Sequence, residues 1–419
     1  MPTIRRLTAL EILDSRGRPT IFATCTLDDG ASASVSIPSG ASTGRAEAHE
    51  LRDGDSDRYG GLGCTKAIAN IHGRISDEII ARDLTQDQLD DTLIRLDDTI
   101  DKSNLGANAI LATSLAFARA CAVSQKIPLY QHFANLIEDK PRQLPRLTVN
   151  LFSGGKHAGG QIPIQDLLMV PHSPTIAESL ALCHAVYQSA SNLIQQKYQA
   201  RPLVADEGGL APNFPSSTAM IEDAMESIAK ARLKPGKDVS IAIDLASSHF
   251  HQNGRYQLDH LSLDPGGMIE VIRKWTRQYP IVSIEDGLAE DDWFNWPRLR
   301  QAIYTRCLTL GDDLLCTNPA RINEAIKSVA ADALLLKVNQ IGTLSEAAEA
   351  LKLARAADWR IIISARSGET EDNWLADLAV GWAGDAIKVG SITRSERLAK
   401  YNRLLEIESE THLPLCPWP

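Results

Sequence analysis

The sequence predicts an α/β protein in which a small α+β domain precedes an α/β barrel. Two observations carry this. From Leu147 onward short apolar runs alternate with helical patterns, a βαβα rhythm that calls for a parallel sheet with crossover helices. Ionisable residues then recur where those runs end: Asp244 in SIAIDLASS, Glu285 in PIVSIEDG, Asp312 in TLGDDLLC, Lys337 after ALLL and Lys388 after DAI. The rhythm alone does not separate a closed barrel from a doubly wound sheet. Charges at so many successive strand ends favour the barrel, whose functional mouth lies at the C-terminal ends of its strands. One such charge is ordinary, being solvated or ion-paired. Three acids and two lysines together suit a mouth that holds a divalent metal between them.

The elements follow in order. Residues 4–13, 20–27 and 31–36 read as strands, with Asp28-Asp29-Gly30 as a turn. Helical patterns occupy 87–96 and 108–122, so strands come first and helices after, as in a small α+β unit. Glu138-Asp139-Lys140-Pro141-Arg142 is polar and broken by proline, which makes it a linker between domains at 1–138 and 143–419. Beyond it, strands at 239–245, 282–284, 308–310, 333–338, 361–364 and 386–389 alternate with helices at 268–279, 295–304, 319–329, 344–356 and 373–379.

Composition narrows the class. A chain of 419 residues with 44% hydrophobic and 23% charged content is that of a soluble globular protein. No uncharged apolar stretch approaches a membrane span, and MPTIRRLTALEILDSRG lacks an apolar signal core. The seven cysteines are scattered and without CxxC pairs, so the expectation is a reducing cytoplasm with neither disulfides nor zinc. A formal charge of −10 argues against a nucleic-acid surface, though not against an anionic substrate met by local cations and metal.

Longer motifs carry more. EILDSRGRPT (11–20), IPSGASTGRAEAHELRDGD (37–55), LGANAILATSLAFARA (105–120), DEGGLAPN (206–213), SIEDGLAEDDW (283–293), GDDLLCTNP (311–319), LLLKVNQIGT (334–343), RSGETED (366–372) and IKVGSITRSERLAKYN (387–402) closely resemble the enolases, in colinear order. The resemblance implies an N-terminal α+β capping domain on a modified eight-stranded TIM-type barrel. It also implies Mg²⁺-dependent dehydration of 2-phosphoglycerate to phosphoenolpyruvate, with two metal ions, the second arriving with substrate, and commonly a homodimer.

Residue by residue, the resemblance makes Asp244, Glu285 and Asp312 ligands of the first metal, the last two also bordering the substrate, and Lys337 the base. Pairing a Lys or His base with one or two Mg²⁺ ions is a general scheme of the enolase superfamily. A neutral lysine at working pH needs a depressed pKa, which metal and Lys388 would favour. Lys388 would hold the substrate carboxylate, Arg366 and Ser367 the phosphate, and His157 in GGKHAGG the phosphate side or loop closure. Ser42 in SGASTG would ligate the second metal from a mobile loop. Glu207 would help hydroxide leave, with Asp166 beside it.

The pattern departs from the family on that leaving-group side. Asp166 stands where the family has glutamate, Ala365 where it has histidine, His249 where it usually has glutamate and Gly287 where it usually has proline. These changes leave three readings: an enolase, a non-catalytic barrel, or a paralogue of phosphonate metabolism. The paralogue, similar to carboxyphosphonoenolpyruvate synthase, would form an enol from a modified, phosphorus-bearing acid. Burying so many charges without use is costly, which disfavours the non-catalytic reading.

Overall fold

A computed structural model describes residues 2–41 and 44–417. Strands β1 (Ile4–Leu13), β2 (Pro19–Leu27) and β3 (Ser32–Ser36) form an antiparallel meander, with Leu13 opposite Pro19 and Phe22 opposite Ser36. Helix Ala107–Gln125 packs on β2 and β3. It is long and apolar enough to cross a bilayer, but most of it is buried in the protein. Its many alanines allow a close approach to the sheet, and Arg119 reaches an ion pair with Asp372. Helix Gln86–Asp97 starts at a reciprocal cap: Thr85 Oγ1 accepts from Gln88 N at 3.3 Å and Gln88 Oε1 from Thr85 N at 3.0 Å.

The second part closes a barrel. Its strands are β4 (Arg146–Ser153), β5 (Asp166–Pro171) and β6 (Val239–Asp244). After a small sheet of β7 (His251–Gln252), β8 (Arg255–Leu258) and β9 (Leu261–Leu263), there follow β10 (Ile281–Glu285), β11 (Leu308–Gly311), β12 (Ala333–Leu336), β13 (Arg360–Ser364) and β14 (Ala386–Lys388). The order β4-β5-β6-β10-β11-β12-β13-β14 returns to β4. Leu168, Val170, Ala242, Leu310, Leu335 and Ile362 are among the apolar residues that pack in one interior cluster.

The rhythm called for a parallel sheet, and β5 is the exception. It runs antiparallel to both β4 and β6. The connection 154–165 holds only a short turn of helix, Gly155–Ala158, so no crossover helix is available to bring the chain back. The helix pair Ile176–Tyr198 and Ser217–Lys230 comes after β5 instead, packed together ahead of β6. The reversal has a consequence for chemistry. The first residue of β5, Asp166, lies opposite Asp244, the last residue of β6, and so stands at the mouth.

The other end of the barrel is sealed by the C-terminal segment. Leu144 N donates to Pro414 O and Cys416 N to Leu144 O, both at 2.8 Å. Arg146 is buried there and donates to Cys416 O at 2.7 Å and Pro171 O at 2.8 Å. Arg146→Met would leave these carbonyls without a donor, at a cost of about 2–4 kcal/mol. A lower urea midpoint with unchanged substrate KM is the expected result, read by chemical denaturation and steady-state kinetics.

The N-terminal domain meets the barrel at the mouth. Ser39 and Gly368 exchange backbone hydrogen bonds at 2.8 and 3.0 Å. Arg16 donates to Ser39 O at 3.0 Å and to Ser367 Oγ at 3.3 Å. Asp90 accepts from Ser345 N at 2.9 Å, tying helix Gln86–Asp97 to the start of helix Leu344–Ala356.

Candidate active site

Parallel register brings the strand-end acids together. Glu285 pairs with Asp244 across β10 and β6, and Asp312 and Lys337 each stand one residue past their strands. Asp286 shapes the turn that carries Asp312: its backbone is left-handed (φ 44°), and its two carboxylate oxygens accept from Asp312 N at 3.0 Å and Asp313 N at 2.7 Å. Asp244, Glu285 and Asp312 are only 2%, 3% and 8% exposed, too buried for ordinary solvated strand ends.

Two lysines answer them. Lys388 Nζ lies 2.9 Å from Asp244 Oδ2 and 2.8 and 2.7 Å from the two oxygens of Glu285. Lys337 Nζ lies 2.5 Å from Asp312 Oδ2, whose other oxygen accepts from Gln340 Nε2 at 2.8 Å. Burial alone would push the Lys388 ammonium down, but Asp244 and then Glu285 carry it well above its ordinary value. Burial also opposes the charge on Lys337, and Asp312 outweighs it, so this lysine is raised. The expected depression is therefore not a property of the protein charges alone, because the nearest counter-ion of Lys337 is an acid. Glu285 is forced well above the carboxylate range by burial and then by Asp244.

This donor set fits a hard divalent cation. Three buried carboxylates supply oxygen ligands, and the crowding that raises Glu285 is the excess negative charge a cation would relieve. Among the described residues, ligand atoms converge most tightly in two other groups, Asp286–Asp312–Asp313 and His157–Asp166–Glu207. In the first, both oxygens of Asp286 are already engaged by backbone N–H groups.

The second group forms the opposite wall. His157 Nδ1 is 2.8 Å from Asp166 Oδ2, and its Nε2 is 3.9 Å from Glu207 Oε1. Asp166 Oδ1 accepts from Ser153 Oγ at 2.6 Å and Asn150 Nδ2 at 2.8 Å, and Asn150 also reaches Glu207 Oε2 at 3.1 Å. Burial would lower His157, but Asp166 and then Glu207 raise it to about 9. Burial would raise Glu207, yet His157 and then Arg397 take it to about 2. These directions favour the proton on His157 and a carboxylate at Glu207, while burial raises Asp166.

Arg366 is buried, with its fork on Glu47 at 3.0 and 3.2 Å. Ser367 is buried beside it, and Ser42 lies outside the described residues. His157, Glu207, Lys337, Arg366 and Lys388, with Ala365, border a cavity of about 20 Å³, room for about one water. Ala365 places only a methyl group there. At Gly287, an added Cβ would lie 2.7 Å from Leu299 Cδ2, so the space of the family's proline is filled by leucine packing.

Sequence reasoning missed several contributors. Glu47 comes from the N-terminal domain. Arg397, fully buried, donates to Arg366 O at 2.7 Å and Ser367 O at 2.5 Å, while Lys400 holds Glu369 Oε2 at 2.8 Å and Thr370 O at 2.6 Å. Their spacing of three on helix Ser395–Thr411 was the available signal, but two cations on one helix face are ordinarily solvated.

An eight-stranded α/β barrel, capped by a sheet domain and gathering acids, lysines and an arginine at its mouth, defines a protein of the barrel-enzyme class. Residues 4–133 match the family model for the enolase N-terminal domain, and residues 141–413 match that for the enolase C-terminal TIM barrel domain. The chain belongs to the enolase family.

Proposed function

We propose that this enolase-family lyase removes the proton α to a carboxylate and catalyses the reversible, Mg²⁺-dependent dehydration of 2-phosphoglycerate to phosphoenolpyruvate. The observation that carries this reading is the buried meeting of Lys388 with Asp244 and Glu285 beside the Lys337–Asp312 pair. Asp244, Glu285 and Asp312 would hold the first Mg²⁺, and Ser42 the second, which arrives with substrate. Bound there, metal would neutralise the charge that builds on the carboxylate oxygens as the α-proton leaves. Lys337 takes that proton at Nζ. Lys388 orients the carboxylate. Arg366 and Ser367 hold the phosphate once Glu47 gives way, and His157 and Glu207 manage the proton for the departing oxygen. The family further suggests a homodimer working in cytoplasmic glycolysis.

Arg366→Lys keeps the charge but loses the two-pronged geometry on phosphate oxygens. Its expected effect is a KM for 2-phosphoglycerate raised about tenfold or more, measured by steady-state kinetics.

A second reading, a modified substrate, is favoured by the leaving-group wall. Ala365 has no proton to give, and both oxygens of Asp166 are occupied by Ser153, Asn150 and His157. Comparing wild type with Ala365→His/Asp166→Glu, following phosphoenolpyruvate by absorbance, separates the two. If 2-phosphoglycerate is the substrate, restoring these groups should raise turnover by about 10–100-fold, part of the range for a regained acid. Absence of wild-type turnover, with α-proton exchange intact, transfers the assignment to a modified substrate.

A further inference from the structure

The Arg366 fork already holds a partner with the geometry of a phosphate. Its two terminal nitrogens face the two oxygens of Glu47, Nη1 to Oε2 at 3.0 Å and Nη2 to Oε1 at 3.2 Å. Two parallel N–H···O bonds are how a guanidinium meets either a carboxylate or a phosphate. Both side chains are nearly out of solvent, at 3% and 6% exposed. Burial opposes the charge on Arg366, and Glu47 outweighs it, so the guanidinium is held above its ordinary value. Removing one member of such a buried pair is costly, because the other is left without its counter-charge. Glu47 therefore leaves the fork when another anion takes its place.

The surroundings give it somewhere to go. The cavity that Arg366 borders at the mouth is about 20 Å³, too small for a phosphate while the fork is closed. Glu47 lines a separate cavity of about 280 Å³, which Arg366 does not border. Arg18 lines it too, is exposed and makes no ion pair among the described residues, so it offers a cation to a displaced carboxylate. Glu47 Oε1 also accepts from Gly44 N at 3.1 Å and Gln340 Nε2 at 3.3 Å. The same Gln340 nitrogen reaches Asp312 Oδ1 at the shorter 2.8 Å, so the amide stays with Asp312 when Glu47 goes.

We propose that Glu47 is an internal competitor for the substrate phosphate: it occupies the Arg366 fork until the phosphate replaces it, anion for anion, and so selects a charged substituent at C2. A 2-hydroxy acid brings no such charge and leaves the pair closed. The inference rests on the assignment of Arg366 to the phosphate and adds a selectivity filter to that site. A ligand then meets an open clamp in only a fraction of molecules, and its apparent affinity falls by that fraction.

The test is titration calorimetry of the Mg²⁺-loaded protein with 2-phospholactate, which has the carboxylate and 2-phosphate but no oxygen at C3 to eliminate. Glu47→Gln keeps the shape and removes the competing charge, and should bind 2-phospholactate at least about tenfold more tightly than wild type. Glu47→Asp, which keeps the charge but draws it back by one methylene, should show a smaller gain of the same sign. Glu50→Gln makes the same change of net charge nearby, but Glu50 bonds to Ser39 and Arg52 rather than to the Arg366 fork, and no comparable gain is expected. A side chain that merely props the clamp open would give the opposite sign. Unchanged or weaker binding in Glu47→Gln, a loss in Glu47→Asp, or an equal gain in Glu50→Gln overturns the competitor. α-Proton exchange on 2-phosphoglycerate reports separately on the reaction: exchange without the affinity gain overturns the competitor alone, and the gain without exchange overturns the proposed proton removal alone.

Discussion

Lys337→Ala is expected to reduce both turnover and solvent exchange of the substrate α-proton by about 10²–10⁴-fold, the range for a positioned general base. The expectation rests on place and on chemistry. Lys337 follows β12 directly at the mouth, is held by Asp312 at 2.5 Å, and borders the small cavity with Lys388 and Arg366. In the ion-paired state it is an ammonium, with Asp312 overcoming the effect of burial. A cation taking the charge of Asp312 would remove that hold, while Arg366 and Lys388 continue to favour the neutral amine. On the proposed mechanism, the base strength of Lys337 would depend on metal loading. Exchange, followed by NMR in deuterium oxide, isolates the proposed proton removal from the proposed hydroxide departure. Undiminished exchange in the alanine variant would place the base elsewhere.

Asp312→Asn should weaken Mg²⁺ binding by at least about 10–100-fold, since losing even a hydrogen-bond partner of a ligand costs that much. Asparagine preserves shape and one oxygen acceptor, so packing against Gln340 survives. What disappears is the charge, and with it the counter-ion of Lys337 and the proposed metal ligand. The two roles separate experimentally. Mg²⁺ that binds the folded protein raises its thermal midpoint, the stabilisation growing with the logarithm of one plus ligand concentration over Kd. In wild type the midpoint should climb with Mg²⁺, and in Asp312→Asn the climb should shift to higher concentration. An identical Mg²⁺ response in both proteins would mean that Asp312 serves Lys337 alone, and the ligand assignment would fail.

Much of this protein was legible in its residues. Apolar runs of strand length, each closed by a charge, located β6, β10, β11, β12 and β14 and named the acids and lysines that the fold brings to one mouth. Periodicity is a local property, and in a strand parallel to its barrel neighbours the C-terminal residue reaches the mouth. The direction of β5 was not local. It followed from a connection without a crossover helix, and it put Asp166 at the mouth from the start of a strand, where a rule about strand ends does not look. Glu47 on Arg366 and Arg16 on Ser367 come from the other domain, across more than three hundred residues of chain. Arg397 and Lys400 read as a solvated helix face until the fold buried them under the 366–370 loop. The charge states were also decided in three dimensions. Sequence alone determined which ionisable groups the mouth holds. Only the tertiary structure decided that Lys337 is paired with an acid and that His157 rather than Glu207 keeps the proton, because a pKa depends on burial and on which charge ends up nearest, and both are set when the barrel closes.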